Sequence, residues 1–272
     1  ALATEGEVAA ARVANDARSE DGEVEEIRHD LQALIDQKKE RFLFIAGASG
    51  TGKSSLVLSR VVPEYARRDG TLVKIIRPSA DGPAALEALL LARDAPHTPL
   101  LVLVDQFEEV FTTLSAAARV AFVQRLWAAA ADPSSNIAVL VTLRVDFIGQ
   151  CGEIVVDRAG LRLDKVAYNE AHRVFISQMG PQELRQAIEQ PAARVGLELE
   201  PGLCDRLLLD VGSEPGSLPL LEYTLDQLWQ RREGRLLTQA AYQELGGVSG
   251  ALAAQLPQFA LVELDRVRVD GS

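Results

Sequence analysis

The sequence predicts an α/β domain with a mostly parallel sheet, followed by a small all-helical subdomain. Two observations lead there. Short apolar runs alternate with helix-compatible stretches over roughly the first 180 residues, the pattern of a sheet whose strands are joined by crossover helices. Beyond about Met179 the apolar runs stop, and short amphipathic stretches separated by Gly and Pro take over. A chain of 272 residues, 47% apolar and 25% charged, is long and apolar enough to bury such a core.

Residues 1–22 are Ala-rich, carry scattered acids without a period, and read as a leader or linker. From Glu23 to about Lys39, Val24, Ile27, Leu31 and Leu34 recur at three- and four-residue steps, which predicts an amphipathic helix. Residues 42–46 form an apolar run closed by glycine, suited to a buried parallel strand. Further strands are expected at 72–76, 100–104, 137–143 and 173–176. Helices are expected between them at 54–60, 84–92 and 115–131, the last with Ser115 as N-cap. The second part should hold helices at 181–190, 201–209, 217–230 and 238–245, in the third of which Leu218, Leu221, Leu225 and Leu228 make one stripe. Four segments result: a leader over 1–22, an α/β domain over 23–180, a helical lid over 181–256 and a tail over 257–272, which could form one strand. The missing initial Met points to a piece of a longer protein.

A net charge of −11 argues against direct nucleic-acid binding, which needs clustered cations. It leaves room for a nucleotide site, where a few cations act at short range. No apolar run reaches the roughly 20 residues needed to span a bilayer, and no secretory signal is visible. Cys151 and Cys204 have no metal-ligand spacing and read as buried reduced thiols of a cytoplasmic protein. His29, His97 and His172 are dispersed and read as surface residues.

The run Gly47-Ala48-Ser49-Gly50-Thr51-Gly52-Lys53-Ser54, followed by Ser55, is a complete phosphate-binding loop (Walker A). Its glycines let the backbone curl so that several N–H groups point inward at phosphate oxygens. The following helix adds its unpaired amides and the positive end of its dipole. Lys53 would place a point charge on the β- and γ-phosphates, and the Ser54 hydroxyl would ligate Mg²⁺. About fifty residues on, LLVLVDQFEE places Asp105 at the end of a buried strand, at the sheet edge where ligands bind in open α/β folds. Asp105 reads as the Walker B acid that holds Mg²⁺, directly or through water. Glu108 and Glu109 are placed to orient or deprotonate an attacking water, with Glu109 the preferred base. Taken alone, an acidic helix start would explain the two glutamates equally well; the Walker A loop upstream favours the functional reading.

The strand at 137–143 runs into Arg144. Lying between the two motif strands, it would aim Arg144 at the γ-phosphate, where the guanidinium could sense hydrolysis. The alternative is an ion pair of Arg144 with Asp146 or with an acid on the Walker B strand. Strands between the Walker A and Walker B strands fit a five-stranded parallel sheet of the additional-strand, glutamate-using division of P-loop NTPases. In GSEPGSLPLL, Ser217 can cap a helix and Pro219 is tolerated in its first turn.

Together GASGTGKSSLV, LLVLVDQFEEVF, VTLRVDF, AIEQPAARVGLELEPG and the stretch from GSEPGSLPLLEY to GGVSGAL resemble the novel STAND NTPase module of large bacterial signalling proteins, often joined to WD40 repeats. The resemblance runs over roughly residues 41–254, in order. It implies an ATP-dependent switch: an ADP-bound closed monomer exchanges to ATP, opens and forms a homo-oligomer, and effector and repeat sensor domains of the full-length protein use the change. By position, Lys53 and Ser54 match the Walker A residues, Asp105, Glu108 and Glu109 the Walker B group, and Arg144 the sensor at the end of the next strand. Pro219 resembles the proline of the Gly-x-Pro motif that touches adenine, with Ser217 or Gly216 near the glycine's place. The Gly-Arg-acid element that members usually carry before the first helix is missing from ARSEDGEVEEI.

The reading reached is therefore a slow, regulatory, Mg²⁺-dependent ATPase switch. Two alternatives stand beside it. An AAA+-like ring ATPase remodelling protein or DNA would need an arginine finger, for which Arg158 or Arg162 lies in about the right stretch. A scaffold that binds ATP without hydrolysing it would not depend on Glu108 and Glu109.

Overall fold

The computed structural model describes residues 22–37, 39–68, 70–78, 82–91, 98–212, 217–248 and 250. These divide into two compact units, one ending at Gln178 and the other beginning at Met179. Residues 1–21 of the leader and the strand expected beyond 257 lie outside the described residues, as do His97 and Gly216.

The first unit is a five-stranded sheet with the order β2-β3-β4-β1-β5, every neighbouring pair parallel. Its strands are β1 (Phe42–Gly47), β2 (Leu72–Ile76), β3 (Leu100–Val104), β4 (Ile137–Arg144) and β5 (Arg173–Phe175). Each falls where a short apolar run predicts it. Strands β1, β3 and β4 are buried on both faces, which is why they read as unbroken apolar runs rather than alternating ones. Successive side chains still go to opposite sides. Phe42, Phe44, Val102, Val104, Val139 and Val141 pack with Phe122, Leu126 and Trp127 of one helix. Leu43, Ile45, Leu101, Leu103 and Leu140 pack with Ile27 and Leu31 of another.

Those helices are α6 (Ala116–Ala131) and α1 (Gly22–Asp36). Ser115 caps α6, its hydroxyl accepting from the Ala118 amide at 3.4 Å. Helix α4 (Gly82–Leu91) leads from β2 toward β3. Between β1 and β2 the chain forms α2 (Lys53–Leu56), a π-helical stretch at Val57–Val61, and α3 (Val62–Arg67). This path outlasts the expected 54–60 helix by nearly two turns. Pro63, which offers no N–H, falls in the first turn of α3, just after the wider π register has absorbed the change of hydrogen bonding. Short helices α5 (Glu109–Thr112) and α7 (Leu163–Ala167) complete the unit.

His172 departs from the surface reading: it is 9% exposed, with Nδ1 2.9 Å from the Phe42 carbonyl oxygen, so it ties the start of β5 to β1. Both cysteines are buried free thiols; burial pushes Cys151 up to about 12 and Cys204 up to about 11, so neither is a nucleophile at neutral pH.

The second unit contains α8 (Pro181–Arg194), α9 (Leu203–Val211), α10 (Ser217–Gln230) and α11 (Gln239–Glu244) around Leu184, Ile188, Leu203, Leu207, Leu221 and Leu228. Helix α8 continues past Pro191 and ends near Gly196, whose φ of +69° favours glycine. The helices are joined by one minimal parallel ladder, β6 (Glu198–Leu199) with β7 (Leu236–Leu237), which no apolar run of strand length announces. Among the described residues no helix is long and apolar enough to cross a membrane.

Candidate nucleotide-binding site

All five strands run the same way, so their C-terminal ends share one edge. The chain leaves β1 at that edge into the glycine loop, with Gly50 at φ +70° and Gly52 at φ +81°, conformations that give the loop its curl. A Cβ on Gly47 would stand 2.6 Å from the Ile176 carbonyl oxygen, so the first glycine is required by the close pass of the segment after β5. Thr51 is 1% exposed and donates its hydroxyl to the Ala48 carbonyl at 3.1 Å. Ala48, Ser49 and Gly50 form the outer part of the loop, Ser49 exposed, and Ser55 is half-buried in the first turn of α2.

Lys53 is folded inward. It is 7% exposed, and its ammonium donates to the carbonyls of Gly47 (3.0 Å) and Ala48 (2.7 Å). Burial draws this amine below the ordinary lysine range, while the carboxylates of Glu108, Asp146 and Asp105 act against that shift. The next residue reaches across the sheet edge: the Ser54 hydroxyl donates to Asp105 Oδ1 at 2.5 Å.

Asp105, at the end of β3, is 1% exposed. A buried carboxylate needs partners, and besides Ser54 the Thr142 hydroxyl donates to the same oxygen at 2.8 Å. The guanidinium of Arg77, directly after β2, lies 3.6 Å from Oδ2. Thr142 also accepts from the Gln106 amide at 2.9 Å, which pins the turn leaving β3 in a shape where Gln106 has φ +55°. Hydroxyl and carboxylate oxygens are the donors a hard divalent cation takes, so Ser54 and Asp105 fit Mg²⁺. Among the described residues no group of three or more His, Cys, Asp or Glu could hold a metal by itself. The remaining ligands would thus come from phosphate and water.

The two glutamates face different neighbours. Glu108 Oε2 accepts from the Arg144 amide at 3.3 Å. Glu109 opens α5, and burial raises its carboxyl above the usual range, opposed by Arg77 and reinforced by Glu108 and Asp105. Arg144 ends β4, which does lie between β3 and β1. Its guanidinium makes two bonds to Asp146, at 3.2 and 2.7 Å, and sits 5.3 Å from the Phe147 ring centroid. The ion-pair alternative for Arg144 is thus what the geometry contains, at the same edge as Lys53.

The other candidates lie elsewhere. Arg162 pairs with Asp164 at 2.7 Å, and Arg158 is exposed in the turn between Val155 and Arg162. Pro219, in the second unit, is exposed as the third residue of α10, and the helix already begins at Ser217.

Sequence reasoning passes over Thr142, Gln106 and Arg77. Thr142 is one polar residue inside an apolar strand, and a positive φ leaves no sequence signal. Arg77 does leave one, a strand ending in a charge, the same signal that marks Asp105 and Arg144. Because Thr142 satisfies both Asp105 and the turn amide, Thr142→Val is expected to cost about 1–3 kcal/mol of stability, since an isosteric apolar group leaves two buried polar atoms short of a partner. A loss of that size in unfolding free energy, read as a lower urea midpoint at unchanged m-value by near-UV circular dichroism, checks it. An unchanged midpoint contradicts it.

A five-stranded parallel sheet with this strand order, a phosphate-type loop after β1 and an acid after β3 defines a P-loop NTPase fold. The sequence model of the novel STAND NTPase 1 family matches residues 23–260, and the chain belongs to that family: it is a nucleotide-binding NTPase module. No curated protein matches the sequence. Among solved structures, the AAA domain of FIGL-1 in complex with ADP is similar over 92% of this chain and 89% of that one, at 15% identity and a TM-score of 0.51, a likeness of fold. The structure of Rhizobiales Trip13 aligns over 79% of this chain and 76% of that one, at 18% identity and a TM-score of 0.47.

Proposed function

We propose that this module is an ATP-binding, slowly hydrolysing regulatory switch, in which the nucleotide state controls an open or closed conformation and self-association. The observation that carries this is the convergence at one sheet edge of a buried loop ammonium (Lys53), a hydroxyl–carboxylate pair (Ser54 and Asp105), two glutamates and a terminal arginine. That set matches the needs of a nucleoside triphosphate: charge for the phosphates, hard oxygens for a divalent cation, and a base for water.

In this reading the loop amides from Gly47 to Ser55 and the Lys53 ammonium bind the phosphates. Ser54 and Asp105 would hold Mg²⁺, which when bound would neutralise phosphate charge. Thr142 keeps Asp105 aimed at the edge. Glu109 takes the proton of the attacking water, and Glu108 holds the end of β4 in place through the Arg144 amide. Arg144 exchanges its Asp146 partner for the γ-phosphate, so its position reports whether that phosphate is present. Pro219 is the candidate for contact with the base. Slow turnover accords with a sensing cation that starts out committed to another acid. Effector and repeat sensor domains of a longer protein would read the change.

Denaturing the purified protein and identifying the released nucleotide tests this reading, together with light scattering in ADP and in a non-hydrolysable ATP analogue. Retained ADP, a monomer in ADP and a larger species in the analogue are expected. Absence of bound nucleotide with rapid, assembly-dependent turnover would overturn it.

A further inference from the structure

The Walker B carboxylate has a cationic partner that the phosphate-loop reading does not use. Asp105 is almost fully buried, and two hydroxyls, from Ser54 and Thr142, donate to one of its oxygens, Oδ1. The other oxygen, Oδ2, faces Arg77 at 3.6 Å. The partition follows from topology. Strand β2 pairs with β3 in register from Leu72↔Leu100 to Ile76↔Val104, and the Asp105 amide donates to the Ile76 carbonyl at 2.9 Å. The residue after β2 is therefore held beside the residue after β3. Arg77 also acts on Glu109, where its charge opposes the rise that burial imposes. Among the described residues it is the one cation within ion-pair distance of Asp105.

Buried negative charge is costly unless it is compensated, and two neutral hydroxyls compensate it incompletely. A guanidinium at Oδ2 supplies a full positive charge from the solvent side, where the Arg77 side chain is 56% exposed. A divalent cation at Ser54 and Asp105 brings two positive charges to the same carboxylate, and the two cations repel. We propose that Arg77 is a built-in counter-cation of the divalent-metal site: it holds Asp105 in place before the metal binds, competes with the metal for that carboxylate, and so sets the module's divalent-ion affinity. The proposal rests on reading Ser54 and Asp105 as that site.

The competition has a definite sign. Removing the guanidinium tightens metal binding, although it removes a contact. Because Arg77 is half exposed and solvent screens its charge, the effect is modest, about fivefold.

The test uses Mn²⁺ as probe, with free ion counted by electron paramagnetic resonance, on the full chain loaded with ADP and stripped of divalent ions. Arg77→Gln and Arg77→Ala are expected to bind Mn²⁺ about fivefold more tightly than the parent. Arg77→Lys, which keeps the charge, should stay within about twofold. Arg125→Gln, which breaks an ion pair with Glu87 on the outer helices, is the charge-matched control and should leave the affinity unchanged. The two neutral variants are independent, so a folding failure in one leaves the other decisive. Parent-like or weaker Mn²⁺ binding in a folded neutral variant overturns the proposal, as does equal tightening in the control. If Asp105→Asn leaves parental Mn²⁺ binding intact, the metal-site reading fails instead, whatever Arg77 does.

Discussion

Lys53→Ala is expected to weaken nucleotide binding by about 30-fold or more, because truncating a buried, hydrogen-bonded charge opposite phosphate removes roughly 2–5 kcal/mol. The structure makes the effect specific. The ammonium is almost fully enclosed by its own loop, held by the Gly47 and Ala48 carbonyls, so no solvent-exposed lysine can substitute for it. Loss of the cation also takes one donor from each of those carbonyls, leaving Ala48 only the Thr51 hydroxyl among side-chain donors, so the loop itself should loosen. Titration with a fluorescent nucleotide reads the affinity, and Lys74→Ala, on exposed β2, supplies the comparison. Equal affinity in the two variants would remove the phosphate-loop reading, however complete the GxxxxGK[ST] pattern.

Glu109→Gln is expected to lower the hydrolysis rate by about 100-fold to 10,000-fold with nucleotide affinity nearly unchanged, the signature of a lost general base. Glu108→Gln should act differently. Its carboxylate is engaged with the Arg144 amide, so neutralising it disturbs the end of β4 and lowers the rate by a smaller factor. Burial and the neighbouring acids raise the Glu109 carboxyl, and a base must be ionised to accept a proton. The acid limb of the rate profile should therefore lie above the ordinary glutamate range, because Glu109 is protonated first as the pH falls. Single-turnover rates across pH, beside equilibrium binding, separate the two residues. A larger rate loss in Glu108→Gln than in Glu109→Gln would reverse the assignment.

Much of this molecule is legible one residue at a time. Strands β1, β3 and β4 fall at the expected positions because strands covered on both faces demand continuous apolar runs, and such runs leave a plain trace. Ser115 as a cap follows from an equally local signal. What went unseen depends on pairing. The helix after the loop runs on to Arg67 because a π stretch accommodates Pro63, a matter of backbone register that side-chain type does not encode. The β6–β7 ladder is two residues long and leaves no periodicity to detect. His172 appears in the sequence as an isolated polar residue, and only its position against the Phe42 carbonyl makes it structural.

The site divides along the same line. Sequence alone determined the loop, its lysine and hydroxyl, the acid closing β3 and the arginine closing β4, because each is a chemical type fixed at the end of a strand or the start of a helix. Tertiary structure alone decided how the Walker B acid is occupied: Ser54 and Thr142 on one oxygen of Asp105, and Arg77 on the other. Partner choice depends on distances of a few ångströms between strands far apart in the chain. Parallel pairing sets those distances, and no single stretch of sequence contains them.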